Sequence, residues 1–193
     1  FFEIKSLARS AGYLIDEKTA SVNIAASPLA LSARLNDQDN YIARPDESLR
    51  YILNYKNNAD IGFGDVVIKA RLTGEMFDFK RMQTKGFFSS TDNTITWNAA
   101  NTPELRLVNP GAQGTVNFEI PTKQNYPIKR LSDKNFLLKL NAEISSPTVP
   151  YYVSADKTVE LSSLLTKVGG QIALVTKAFF RDTASGIENR GPL

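Results

Sequence analysis

The chain of 193 residues contains no cysteine and no histidine. Without thiols it has no disulfide, no cysteine nucleophile and no thiolate metal ligand. Without imidazole it has no Ser-His-Asp or Cys-His arrangement, and the commonest zinc ligands are missing. An excess of one charge is also lacking, because 23 basic and 20 acidic residues leave a net charge of only +3. This composition excludes those catalytic arrangements and gives no support to a nucleic-acid partner.

Long hydrophobic runs are lacking as well. No apolar stretch approaches the roughly 18 residues that a membrane span needs. The first residues, FFEIKSLARS, lack the basic leader and apolar stretch of a signal peptide. Because the chain starts at Phe1 and not at methionine, we expect it to be cut from a longer polypeptide. What is present is a hydrophobic content of 42%, which is enough for a packed core in one large domain.

The dominant pattern is an alternation of apolar and polar residues with a period of two, which predicts strands. Turn signals separate the runs. In Asn109-Pro110-Gly111, proline presets the first central position of a type II turn and glycine accepts the positive φ of the second. Many short strands at this spacing predict an antiparallel β-sandwich. The runs are Leu49 to Tyr55, Val66 to Leu72, Ile95 to Trp97, Val116 to Ile120 and Phe136 to Ile144.

The same alternation predicts a core that contains Trp97, the only tryptophan of the chain. A buried aromatic of this size removes about 150–250 Å² from water. The alternative is an exposed tryptophan that stacks on a sugar. Helix signal is scarce: residues 159–168 could form two turns, and residues 74–82 are interpreted as a loop. The predicted core residues are Leu53, Tyr55, Ile68, Leu72, Trp97, Val116, Phe118, Leu138 and Leu140.

The two ends of the chain share an order of features that suggests an internal repeat. A Phe-led strand, a Tyr-led segment and an Asp followed by Lys-Thr occur in both, so that Phe2, Tyr13 and Asp16 match Phe136, Tyr152 and Asp156. The repeat predicts three parts. Residues 1–27 close one domain, residues 28–163 form a complete domain, and residues 164–193 open a third.

Residues 45–123 resemble an Ig-like tandem-repeat family of bacterial and archaeal cell-surface and S-layer-type proteins. The resemblance rests on a Tyr-rich strand ending in Asn57, glycines 62 and 64, the Val-rich run, Trp97 and the Pro-Gly turn before a final strand. The sequence departs from the family at residues 74–82, where a proline-containing motif is common. The resemblance implies an all-β, Ig-like or fibronectin-like antiparallel β-sandwich with Greek-key topology. It also implies an extracellular, non-enzymatic module in a tandem array.

The predicted function is therefore a structural spacer of a long bacterial cell-surface protein, and the chain is not expected to be an enzyme. Its predicted partners are neighbouring repeats, with cell-envelope or host surface components as further partners. The alternative is an adhesin-type module that recognises a carbohydrate or a partner protein, and a third is an accessory domain of a large hydrolase. Exposed aromatic residues away from the domain junctions would favour the adhesin, and an even polar surface would favour the spacer.

The sequence contains residue types that occur in three kinds of site. Asp37 and Asp39, with Asn40, place oxygen ligands close together as calcium prefers, but the spacing is not that of an EF-hand. Lys56 with Asn117 or Asn141 has the residue types of a Lys–Asn isopeptide crosslink, although alternation places these side chains on polar strand faces. No acidic pair has a spacing that specifies glycoside hydrolysis. We predict no catalytic residue, no cofactor and no metal requirement, with Asp37 and Asp39 as weak calcium candidates.

Overall fold

A computed structural model of the chain describes residues 2–10, 13–22, 26–38, 41–127, 136–169, 180–181 and 188–189. Side chains are described for residues 26–38, 41–127 and 136–169. Strands are the main regular element of these ranges, and the helical elements within them are two 3-10 turns, at Phe79–Arg81 and Pro103–Arg106. The strands are β1 (Phe2–Ser10), β2 (Tyr13–Val22), β3 (Leu29–Leu35), β4 (Ile42–Ala43), β5 (Ser48–Asn57), β6 (Phe63–Gly64), β7 (Val67–Thr73), β8 (Gln83–Thr84), β9 (Phe87–Ser89), β10 (Thr94–Trp97), β11 (Leu107–Val108), β12 (Gln113–Pro121), β13 (Leu137–Ser146), β14 (Thr158–Val168), β15 (Phe180–Arg181) and β16 (Glu188–Asn189).

Two sheets form the body of the molecule. One has the order β3-β5-β12-β8 and the other the order β4-β14-β13-β7-β10-β9. Neighbouring strands are mostly distant in sequence, as in a Greek key, and every pairing is antiparallel except the short parallel pairing of β4 with β14. The chain crosses from one sheet to the other between β3 and β4. The predicted fold class, an all-β Ig-like antiparallel sandwich, is confirmed.

The core lies between the two sheets because each long strand turns its apolar residues inward. Strand β12 alternates strictly, with Val116, Phe118 and Ile120 buried and the residues between them exposed. Tyr51 of β5 stacks on Phe118 at a centroid distance of 4.9 Å. All nine predicted core residues are buried, and the sequence prediction of the core is confirmed.

Two local predictions are also confirmed. Gly111 has a φ of 73°, and the amide of Ala112 donates to the carbonyl of Asn109 at 3.0 Å, as a turn with proline and glycine at its centre requires. Residues 74–82 form a connection whose only regular element is a 3-10 turn at Phe79–Arg81. This connection still contributes to the core, since Met76 and Phe77 are buried.

The helical reading of residues 159–168 is wrong. They lie in β14, which pairs with β13 residue by residue from Ser146 opposite Thr158 to Leu137 opposite Lys167. Leu161, Leu164, Leu165 and Val168 have helix-like spacing, but a neighbouring strand that pairs along the whole length decides the conformation.

The described hairpins outside the sandwich are β1 with β2 and β15 with β16. Strand β3 begins at Leu29, one residue after the predicted domain start. The predicted boundary between residues 163 and 164 lies inside β14, and Val168 beyond it is buried. The assignment of residues 1–27, 28–163 and 164–193 to three repeats stays a prediction. No helix in the described ranges has the length and apolar character to cross a membrane.

Candidate functional site

The backbone enters the sandwich at one end and leaves it at the other. The chain enters beside Leu29, which is opposite Asn57, and the carbonyl of Ser27 accepts from the side-chain amide of Asn58 at 3.0 Å. It leaves at Gly169, whose amide donates to the carbonyl of Ala43 at 2.8 Å. A strand of about ten residues separates these points, or about 33 Å at the usual rise. We call them the N-terminal end and the C-terminal end of the sandwich.

A buried asparagine holds the N-terminal end together. The Asn57 side chain is fully buried and donates to the carbonyls of Ile61 at 2.8 Å and Val108 at 2.9 Å. Its carbonyl oxygen accepts from the amide of Ala59 at 2.8 Å. Because every polar atom of this side chain is used, Asn57 fixes the β5–β6 connection against β11. The asparagine at the end of the Tyr-rich strand, part of the family resemblance, therefore has a structural reason.

Charged and polar groups close the C-terminal end. The Arg81 guanidinium contacts Asp78 at 2.7 Å and Asp46 at 2.9 Å, and it holds the pKa of the Asp78 carboxyl below its usual value. The Tyr41 hydroxyl hydrogen-bonds Glu47, and this bond raises the pKa of the tyrosine. These pairs connect loops at a solvent-exposed surface, where such contacts contribute little to stability.

Of the two calcium candidates, Asp37 is among the described residues and Asp39 is not. Asp37 is exposed and lies in a tight turn in which both Asn36 and Asp37 have positive φ, 47° and 56°. The Asn36 side chain accepts from the amide of Arg50 at 2.9 Å, so this turn is held by a protein contact. Asp39 and Asn40 lie outside the described residues. Within the described ranges, no three acidic side chains are grouped as a metal site would need. A calcium role for Asp37 and Asp39 stays a prediction.

The residues proposed for an isopeptide crosslink are not brought together. Lys56 is exposed and lies opposite Gln113, whereas Asn117 lies opposite Ile52 on the same sheet. Asn141 belongs to the other sheet and is also exposed. A crosslink of this kind needs a buried lysine beside its asparagine, so the geometry does not support it.

Trp97 does not offer an exposed ring for sugar stacking. Only 1% of its surface is exposed, and its ring centroid lies 6.0 Å from that of Phe118. Gly86 packs so closely that an added Cβ would lie 2.9 Å from the indole nitrogen. Trp97 is therefore a core residue, as the alternation predicts.

A groove of about 780 Å³ opens beside the start of β12. One wall is Gln113 to Asn117, and the other is the segment from Asn101 to Val108. The Tyr55 hydroxyl lies against Gly114, where an added Cβ would come within 2.3 Å of it. Burial raises the pKa of Tyr55, and the negative charge of Glu104 adds to the shift. The charged side chains that line the groove are Lys85 and Glu104.

Exposed aromatic residues occur at the N-terminal end. Tyr151 is 91% exposed and Tyr152 54% exposed, and their rings meet edge to face at 5.2 Å. They lie in the loop between β13 and β14, close to the start of the sandwich. The same loop contacts the β5–β7 connection, since the Thr148 hydroxyl accepts from the amide of Gly64 at 3.0 Å. The sequence marked Tyr152 only as part of the internal repeat and did not predict an exposed pair, because two adjacent tyrosines break the alternation and resemble any loop.

The outward faces of the two sheets are chemically different. On the four-stranded sheet, β12 presents Gln113, Thr115, Asn117 and Glu119 to solvent. On the six-stranded sheet, β14 presents Val159, Leu161 and Leu165, which are 38%, 70% and 57% exposed. The sequence pattern gave no sign of this aliphatic stripe, since the segment was read as helical.

Comparisons with known proteins add no family. No protein-family model and no curated protein sequence matches the chain. Among solved structures it is similar to the CARDB domain of a Pyrococcus furiosus protein, at 11% identity over 78% of this chain and 95% of that one, with a TM-score of 0.43. It is also similar to the major pilin subunit BcpA of Bacillus cereus, at 12% identity over 87% of this chain and 49% of that one, with a TM-score of 0.46. A third is AvmM, which catalyses a macrocyclization, at 9% identity over 88% of this chain and 99% of that one, with a TM-score of 0.46. These similarities are too distant to carry a functional argument, and the fold assignment rests on the strands themselves.

Proposed function

We propose that the chain is a non-catalytic spacer module of a long bacterial cell-surface protein. The observation that carries the proposal is where the backbone enters and leaves the sandwich. The backbone enters at Ser27 and leaves at Gly169, at opposite ends of the sandwich. A domain threaded in this way adds its own length, about 33 Å, to the distance that a polypeptide spans.

The strand arrangement supports the same role. Tension on the two chain ends runs along β3 and β14. Strand β3 is paired with β5 over seven residues and β14 with β13 over ten, so tension shears these pairs instead of opening them one bond at a time. All hydrogen bonds of a sheared ladder resist together.

The surface fits a spacer in part. The outward face of β3, β5, β12 and β8 is polar, and the exposed pair Tyr151–Tyr152 lies at the N-terminal end, where a preceding repeat would join. Exposed tyrosines at a junction are accounted for by contact with that repeat. The proposal therefore names neighbouring repeats as partners, with cell-envelope or host surface components beyond them. It places the module outside the cell and involves no nucleic acid.

The proposal includes no enzyme activity, no cofactor and no metal. Histidine and cysteine are missing from the whole sequence, and with them the catalytic arrangements that need imidazole or thiol groups. We expect that a chelator leaves the melting temperature of the chain unchanged. A fall of several degrees that calcium restores would contradict this part of the proposal and assign Asp37 and Asp39 to a site.

Force spectroscopy tests the spacer role directly, and the lack of native cysteine makes attachment simple. Handles at Ser27→Cys and Lys167→Cys load the sandwich between its two ends. Handles at Ser27→Cys and Asn58→Cys load the same end and open β3 from β5 bond by bond. We expect a higher unfolding force with the first pair. Equal forces would remove the mechanical support for a spacer.

The adhesin is the second candidate, because the exposed pair Tyr151–Tyr152 would be a binding surface if no preceding repeat covers it. Tyrosines are frequent in recognition surfaces because they are large, rigid and partly polar. Titration of oligosaccharides into the chain and into its Tyr151→Ala variant separates the two candidates. Saturable binding that the variant loses would favour the adhesin over the spacer.

A further inference from the structure

Three of the five aliphatic residues of β14 lie on its solvent-facing side, unlike those of a core strand. Val159, Leu161 and Leu165 face solvent. The inward positions between them are Glu160, Ser162 and Leu164, and they are only half-buried. An exposed apolar stripe on a strand is unfavourable in an isolated molecule, so it points to a contact that this chain makes with something else.

The backbone of the same strand is also unpaired along one edge. Strand β13 covers one side of β14 from Thr158 to Lys167. On the other side, β4 pairs only with Lys167 and Val168. Within the described residues, the nine from Thr158 to Thr166 have no strand on that side. A row of free amides and carbonyls of this length is a template for a further strand.

We propose that this edge pairs with the same edge of a second copy of the chain, antiparallel and centred on Ser162. Ser162 is the midpoint of the free stretch, so the two-fold arrangement uses all nine residues of each copy. Val159 then lies opposite Leu165 of the second copy, and Leu161 opposite Ser163. The two six-stranded sheets become one continuous sheet, and the aliphatic stripes of the two copies meet on its outer face.

The charges of β14 favour a second copy as the partner. Its only charged residues are Glu160 and Lys167. In the proposed register Glu160 lies opposite Leu164, and Lys167 lies beyond the paired stretch. Within the paired stretch no like charges face each other, which favours pairing of the strand with its own copy. Lys157 and Lys167 of the two copies face each other only beyond that stretch.

Packing of the two outer faces against each other is less favourable. The outer face carries four basic residues: Lys69 and Arg71 on β7, Lys139 on β13 and Lys167 on β14. Of the acidic residues on these three strands, Glu143 points outward and Glu160 points inward. A face-to-face dimer would bring these cations together, whereas an edge-to-edge dimer leaves them in water. The edge is therefore the interface that the charges allow.

The inference goes beyond the spacer role and does not depend on it. Because the pairing is antiparallel, the N-terminal end of one copy lies beside the C-terminal end of the other. Both ends of each copy stay free for a polypeptide to continue. Spacers that run in opposite directions would be joined side by side.

Sedimentation velocity on the whole chain tests the pairing. A nine-residue edge is a small interface, so we expect monomer and dimer to exchange between about 10 and 500 µM. Leu161→Lys and Leu165→Lys each place a charge in the contact and should leave only monomer. Leu107→Lys is the matched control, because Leu107 is 56% exposed and lies away from β14. It should dimerise like the parent chain.

A second control distinguishes pairing along the β14 edge from packing of the outer sheet faces. Leu137 is 44% exposed on the outer face of β13, one strand in from the edge. Leu137→Lys should keep the dimer if the edge is the interface. Loss of the dimer in Leu137→Lys, its survival in Leu161→Lys, or a monomer at every concentration would each overturn the proposal. Since all these leucines are exposed, unchanged melting temperatures will show that the variants are folded.

Oxidative crosslinking tests the register. Directly opposed residues of antiparallel strands have Cα atoms about 4.5–5.5 Å apart, which is within the range of a disulfide. Ser162→Cys should therefore give a covalent dimer on oxidation, visible on a non-reducing gel. Ser145→Cys, on β13, should not. Equal crosslinking of both variants would show random collision and contradict the centred pairing.

Discussion

Strands β13 and β14 are neighbours that pair along their length, yet they divide apolar and polar residues differently between their two faces. Strand β13 buries Leu138, Leu140, Ala142 and Ile144 and turns Lys139 and Asn141 to solvent. Strand β14 turns Leu161 and Leu165 to solvent and keeps Glu160 and Ser162 on its inner side. The difference shows that hydrophobicity decides which face is buried for a central strand. An edge strand can follow its neighbour's hydrogen bonds and leave apolar residues outside.

The largest expected effect comes from the inner face of the six-stranded sheet, to which β13 contributes. Trp97→Ala should lower the free energy of unfolding by about 3–5 kcal/mol, because the site is closely packed and cannot collapse around the cavity. Chemical denaturation of the parent and the variant measures it. An unchanged midpoint would show that Trp97 is exposed in solution.

The comparison of the two strands is sharpest with matched leucine substitutions. Leu140→Ala on β13 should cost about 2–5 kcal/mol, since Leu140 is fully buried. Leu164→Ala on β14 should cost less, because this inward side chain is only half-buried. Equal losses in denaturation would mean that the inner side of β14 is as well packed as that of β13.

A pH-dependent effect is expected from the hydroxyl of Tyr51, which is buried in the core. Tyr51 is buried, its hydroxyl has no hydrogen-bond partner of good geometry within the described residues, and burial raises its pKa above the usual value of about 10. The neutral phenol is favoured in the folded state. Its stabilising contribution is therefore complete below pH 10 and is lost as the pH rises further.

Tyr51→Phe should remove this part of the alkaline loss of stability, and it should be neutral or stabilising at pH 7 because no hydrogen bond is lost. Melting temperatures between pH 7 and pH 11 measure both effects. Tyr151→Phe is the control, since Tyr151 is exposed and its substitution should leave the profile unchanged. A large loss of stability at pH 7 in Tyr51→Phe would show that the hydroxyl is hydrogen-bonded after all.

The smallest effect is expected on the outer face of β14. Leu161→Ala should change the free energy of unfolding of the monomer by no more than about 0.5 kcal/mol, because this side chain is 70% exposed. Denaturation at low protein concentration isolates the monomer. A loss comparable to that of Leu140→Ala would mean that Leu161 is covered within a single chain, and the contrast between the two strands would disappear.

Prediction from sequence succeeded where local pattern and tertiary burial agree. The alternation around Leu53, Phe118 and Leu140 identified the core, and the Asn109-Pro110-Gly111 turn followed from the conformational limits of proline and glycine. It failed at β14, where the leucine spacing matches a helix as well as a strand. Among the candidate site residues, the sequence placed Trp97 correctly in the core. It did not predict the exposure of the Tyr151–Tyr152 pair or of the aliphatic stripe on β14.

The class of the fold and the absence of thiol and imidazole chemistry follow from the sequence alone. Period-two alternation admits few other structures, and missing residue types cannot react. Tertiary packing is needed to decide which strands are neighbours and that the backbone enters and leaves the sandwich at opposite ends. It also decides that, within the described residues, no second strand lies beside Thr158 to Thr166 of β14. These properties depend on pairings between residues far apart in the chain, such as Lys167 with Ile42 and Ser48 with Pro121. No local pattern encodes them, because they follow from the joint packing of two sheets over one core.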